Sequence, residues 1–176
     1  MPNRDRRRGL RGAERVNESA LMKRLSGFAV TVALAAVAAP AHAGLIVPQH
    51  GINGVRVGQT ERTVLARLGP PVQIHRGSNE FGRYQELRYR GLTVSMQGGR
   101  RVTSVTTRSS VHRTRSGVGV GTTLAVLKTK VHGVQCTTFS GIRHCVVGVE
   151  EAGRQVTAFL VRRGRVRVVT VGIVID

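Results

Sequence analysis

The residue types in this 176-residue sequence that could do chemistry are two cysteines, six histidines and a large excess of arginine. Cys136 and Cys145 close a loop of about ten residues if they pair, and such a disulfide stabilises a fold by about 2.5–3 kcal/mol on the chain-entropy account. The competing chemistry is a zinc site drawn from His132, Cys136, His144 and Cys145, whose types suit that ion. His144 and Cys145 are neighbours, however, and strand neighbours point to opposite faces, so both reach one ion only through a bulge. A disulfide is expected, with no metal and no cofactor.

Arginine is the next candidate. The chain carries 28 Lys or Arg against 9 Asp or Glu, a net charge of +19. Arg83, Arg88, Arg90, Arg100 and Arg101 in one stretch, and Arg162, Arg163, Arg165 and Arg167 in another, fall at matching hairpins. The i, i+2 spacing of Arg88/Arg90 and Arg165/Arg167 sets each pair on one sheet face. A basic stripe for an anionic partner is the functional reading. A codon bias toward arginine on a solvated face is the plain alternative.

Catalysis finds little material. Nine carboxylates, six aromatic residues and no Trp leave no evident carboxylate pair or base-stacking platform. No nucleophile-elbow motif gathers the serines and histidines, and Glu150-Glu151 read as a solvated turn. The run from Gly117 to Thr123 looks like a phosphate loop but lacks the lysine that such a loop needs. No catalytic residue is assigned.

The elements that must position these groups begin after a leader. Met22-Lys23-Arg24, an apolar run from Phe28 to Ala39, and Ala41-His42-Ala43 before Gly44 compose a secretory signal. Residues 1–43 are read as signal peptide, with 1–21 a candidate misassigned start. The run is shorter than the roughly 20 residues a membrane helix needs, so no stable span remains after cleavage. Residues 44–176 keep a net charge of +14, and a secreted or periplasmic location follows.

The remainder repeats itself. GVRVGQTERTVLARLGPPVQ (54–73) aligns on GVGVGTTLAVLKTKVHGVQ (117–135) at an offset of 63 residues. Thr60 and Thr123 suit helix N-caps, Val64, Leu65 and Leu68 form a buried stripe, and Gly69-Pro70-Pro71 ends the first helix. Strand signals follow at 84–90, 92–97 and 101–107, and again at 145–149, 154–161 and 165–175. The expected architecture is α+β: two tandem repeats, 44–110 and 111–176, each with one or two short helices packed on a three- or four-stranded antiparallel sheet.

Val-x-x-Gly-x-Thr, a short helix, Leu-Gly-x-Pro, the tyrosines Tyr84 and Tyr89 and a Leu-x-Val hairpin together resemble the SmpA/OmlA superfamily. The tandem copy behind a signal peptide is similar to its beta-lactamase inhibitor protein-like branch. The resemblance implies helices laid on antiparallel sheet and a protein that works by binding other proteins outside the cytoplasm. Gly44 stands where the lipoproteins carry a lipidated Cys, and the loop Gly98-Gly99-Arg100-Arg101 has no carboxylate, so no inhibitory residue carries over. The sequence thus points to an exported, non-enzymatic protein-binding module. The alternative is a basic cell-envelope protein that binds an anionic cell-surface polymer. Nucleic acid is not an expected partner, since no Tyr or Phe interleaves with the arginines.

Overall fold

A computed structural model describes residues 44–175; the leader expected over 1–43, and Asp176, lie outside the described residues. Alternation of apolar and polar residues governs most of this stretch, and among the described residues strand far outweighs helix. Three two-residue strands, β1 (Ile46–Val47), β2 (Gly51–Ile52) and β3 (Val55–Arg56), form a small antiparallel sheet. Helix α1 (Glu61–Leu68) follows, then β4 (Gln73–Asn79), β5 (Gly82–Tyr89), β6 (Leu92–Gln97) and β7 (Ser104–Thr107). Helix α2 (Leu124–Lys130) precedes β8 (Gln135–Phe139), β9 (Ile142–Val147), β10 (Gln155–Arg162) and β11 (Arg165–Ile173).

The last eight strands make one antiparallel sheet of order β4-β5-β6-β7-β11-β10-β9-β8, which runs through the same succession from either end. Its centre is the antiparallel β7/β11 ladder, where Thr106 faces Thr170 with their hydroxyls 3.0 Å apart. The turns into the helices carry matching bonds. Arg101 Nη1 donates to the Gly58 carbonyl, and Arg165 Nη1 to that of Gly121, each at 3.0 Å. Thr60 caps α1 by accepting from the Thr63 amide, and Thr123 caps α2 by accepting from that of Val126. Gly58 and Gly121 both hold φ near 90°, which a side chain would strain.

This architecture corrects the expected α+β class. The described residues are mainly β, with two helices of only eight and seven residues, and neither half has a helical layer packed on a sheet of its own. The physical reason lies in the segments after the helices. Residues 73–79 and 135–139 show little apolar alternation and look like loops, yet each extends the sheet as an edge strand. The three small strands at 46–56 also escaped the pattern, since two residues cannot display a period.

One core serves both halves. Leu87, Leu92, Val94, Met96 and Val105 from the first half meet Cys145, Phe159, Val166, Val169 and Val171 from the second on one face of the large sheet. Ile46, Ile52, Val55, Val64 and Leu127, from the small sheet and the helices, cover that face. Burying these side chains is the main stabilising contribution, at about 1.5–3 kcal/mol each. His112 joins the cover and is itself buried. Its Nδ1 lies 2.7 Å from Thr107 Oγ1, which donates to the Gly91 carbonyl, so the ring is the donor in that pair. Burial holds the His112 pKa below the ordinary histidine value.

Candidate functional site

Strand alternation that sends Leu87, Val94 and Phe159 into the core sends their neighbours to the opposite face. The helices and small sheet bury their apolar residues on the core side, which makes the opposite face the candidate surface. On the first half it carries His75, Tyr84, Glu86, Arg88, Ser95 and Ser104, which share a cleft of about 550 Å³. Glu86 is its charge centre. It accepts from Arg88 Nε and Nη2 at 3.2 and 2.8 Å, and His75 Nδ1 lies 3.9 Å away on the facing strand. The Tyr84 ring tilts against His75 with centroids 5.7 Å apart. Tyr84 can lie across β4 because Gly77 faces it; a Cβ there would meet the phenol at 2.6 Å. Asn79 and Gln97 close the outer end with reciprocal amide bonds of 3.3 and 3.1 Å.

Counting pairs outward from Thr106–Thr170 gives each of these positions a counterpart in the second half. Thr93 corresponds to Ala158, Ser95 to Leu160, Ser104 to Val168, Glu86 to His144 and Arg88 to Val146. Except at His144, polar groups give way to apolar ones. Val156, Ala158, Leu160 and Val168 are half-buried along this face, Val146 is buried, and Ile142 and Phe139 extend it to the sheet edge. Phe139 is 83% exposed.

The cysteines meet as expected. Cys136 and Cys145 face each other across β8 and β9 and form a disulfide on the core side. His144, one strand position on, projects from the other face, as alternation demands. Among the described residues no group of three His, Cys, Asp or Glu is placed to hold a metal ion.

The candidate arginines are dispersed. Arg88 lies on the open face, where Glu86 holds it, and Arg162, two positions after Leu160 on β10, falls on the same side at the far end of its strand. Arg101 and Arg165 carry the turn bonds described above. Arg167 Nε reaches the Arg162 carbonyl at 3.5 Å, and Arg163 occupies a left-handed turn position at φ 52°. Arg83 lies at the start of β5 and Arg90 in the turn after it. Because Ser104 pairs with Gly172 and Thr107 with Val169, the Arg100-Arg101 turn adjoins the last residues of β11, at the opposite end of that strand from Arg165 and Arg167. Matching hairpins therefore fall at opposite ends of the sheet, and the structure does not join them into one stripe.

Two further arginines escaped the sequence. Arg62 and Arg76 join Arg100 around a groove of about 850 Å³ beside α1, above Leu65 and Ala66. Gln85 bridges there, accepting from Arg76 Nε at 3.0 Å and donating to Glu61 Oε1 at 2.8 Å. Tyr89, on the same side of the sheet, donates to the Gly69 carbonyl, and burial with Glu61 nearby raises its pKa. A signal for the open-face group was present: Tyr84, Glu86 and Arg88 alternate with Gln85, Leu87 and Tyr89.

No protein-family model matches the chain, and no curated protein does. Among solved structures it is similar to an extracellular protein containing an SCP domain from Bacillus anthracis, at 12% identity and a TM-score of 0.48 over 66% of this chain. This chain spans 44% of that protein's length. The uncharacterized protein yfeY from Escherichia coli matches at 15% identity and a TM-score of 0.46, over 70% of this chain and 97% of its own. A DUF4309 family protein, YjgB, from Bacillus subtilis matches at 14% identity and 0.42, over 68% and 82%. With every TM-score below 0.5, none of these likenesses assigns this chain a function.

Proposed function

We infer that the chain is an exported, non-enzymatic module that captures a partner protein on the open face of its eight-stranded sheet. The observation that carries this reading is the divided character of that face: a polar cleft around Glu86 adjoins an apolar strip of Val156, Ala158, Leu160 and Val168. Protein surfaces that bind one another combine apolar centres with polar rims. Export rests on the signal-like leader and on the disulfide, which persists in oxidising compartments. An inhibitor-like role of the SmpA/OmlA tandem kind rests on the sequence resemblance alone; the matching turn-and-cap bonds of the two halves support only their repetition.

A polyanion would instead need guanidinium groups gathered along one long surface; the candidate arginines are divided between opposite ends of the sheet, and the cluster of Arg62, Arg76 and Arg100 is confined to one groove beside α1. The two readings separate experimentally. A partner captured at physiological salt should be lost with Leu160→Glu and kept with Arg163→Glu. Loss with Arg163→Glu alone, together with release by moderate salt, would overturn the protein-capture reading in favour of charge.

A further inference from the structure

We propose that β8 is a docking edge, at which an extended acidic segment of the partner protein adds a ninth strand to the large sheet. This rests on the reading of the chain as a protein binder and names where and how the partner engages. The two edges of the sheet are β4 and β8. Exposed edges in natural proteins are usually blunted by charge, proline or a bulge, because their free N–H and C=O groups template pairing. β4 is blunted: it follows Pro70-Pro71 and carries His75 and Arg76. β8 reads Gln-Cys-Thr-Thr-Phe, with no charge and no proline, and pairs with β9 in unbroken register. Gln135, Thr137, Thr138 and Phe139 are exposed, and the disulfide holds the strand against its neighbour.

The hairpin geometry says which backbone groups are free. Ser140 and Gly141 have φ of 48° and 75°, the two left-handed positions of a tight hairpin turn. The pair flanking such a turn, Phe139 and Ile142, exchanges hydrogen bonds, and pairs then alternate along the ladder. Thr138–Arg143 and Cys136–Cys145 are therefore pairs without mutual bonds. The 4.0 Å separation of the cysteine Cα atoms agrees with the closer spacing of such pairs, about 4.5 Å. It follows that the N–H and C=O of Cys136 and of Thr138 face away from the sheet, spaced to receive an added strand.

Charge selects the occupant. From Val111 to Ile175 the chain has ten Lys or Arg against two Glu, Glu150 and Glu151. Lys128, Lys130 and His132 lie on the approach to β8, and Arg143 faces Thr138 from β9. A second copy would bring another +14 over residues 44–176, so like charge opposes pairing of two β8 edges, whereas an acidic strand is attracted. Phe139, on the open face, offers that strand an apolar neighbour paired with Ile142.

Thr138→Pro tests the proposal on the full chain, because it removes one outward N–H and leaves every β8–β9 bond in place. Thr138→Ala is the control that keeps the amide while losing the hydroxyl. The probe is a short synthetic peptide alternating Glu and Val. Binding should fall about tenfold in Thr138→Pro and stay near the parent level in Thr138→Ala. Peptide should protect the Cys136 and Thr138 amides from hydrogen exchange in the unaltered protein. Should Thr138→Pro misfold, a probe N-methylated at alternate residues replaces it, and loss of binding in one methylation register is then the supporting result. Unchanged binding by Thr138→Pro, or protection of other amides only, overturns the proposal, as does equal binding of a Lys–Val peptide. Self-association that Thr138→Pro abolishes, without any peptide binding, makes the occupant a second copy and also overturns it. If Leu160→Glu abolishes partner capture while Thr138→Pro does not, the edge fails and the open-face reading stands; if neither matters, that reading fails too.

Discussion

The two halves of the large sheet share their strand succession, their turn bonds and their helix caps, and differ in the side chains those strands present. Positions that fix the backbone are matched: Gly58 with Gly121, Thr60 with Thr123, Arg101 with Arg165. Positions on the open face are not. Even the means of holding the edge strand differs. Counted from the Thr106–Thr170 pair, Cys136–Cys145 occupies the place of Ile74–Leu87, so one edge is held covalently and the other by apolar contact. The lesson is that a fixed backbone can carry a polar cleft on one wing and an apolar strip on the other.

The largest test of this contrast is in the core. Phe159 is fully buried and corresponds to Val94, so Phe159→Ala should cost about 3–5 kcal/mol. Val94→Ala should cost distinctly less, and equal losses by denaturant unfolding would deny the asymmetry. Next comes the edge: replacing both cysteines by serine should cost about 2.5–3 kcal/mol. Hydrogen exchange should then quicken in β8 and β9 well before β4 and β5. Thr60→Ala and Thr123→Ala should each cost about 1 kcal/mol, near-equal values in thermal unfolding marking the capped turns as equivalent.

The smallest effect is at the joint between the halves, where His112 meets Thr107. Burial lowers the folded-state pKa of His112, so the unfolded chain takes up the proton first as pH falls. Stability should accordingly decline as pH drops below the unfolded value of about 6.5, and level off once the folded form is also protonated. His112→Gln should flatten that slope; an unaltered slope assigns it elsewhere.

Some of this was legible in the sequence. Thr60 and Thr123 announce helix starts, Leu92, Val94 and Met96 announce an inward-facing strand, and the lone pair Cys136 and Cys145 announces a disulfide. β4 was not legible, because an edge strand with Gln73, His75 and Ser78 exposed to solvent shows no apolar period. The β7/β11 ladder was not either, since it joins Thr106 to a residue 64 positions away. Of the open-face group only Tyr84, through the resemblance, and Arg88, through charge density, stand out in the sequence, and neither signal says which face receives them. His75 and Glu86 come together only through the β4–β5 register.

That central ladder has a further consequence. Antiparallel pairing of β7 with β11, with Thr106 facing Thr170, is the seam of a twofold dimer drawn within one chain. Four residue pairs would be a slight ladder for two free molecules. Tethered by residues 108–123, the halves meet at an effective concentration in place of a dissociation constant. Each is thus permanently supplied with its counterpart, and dilution cannot part them.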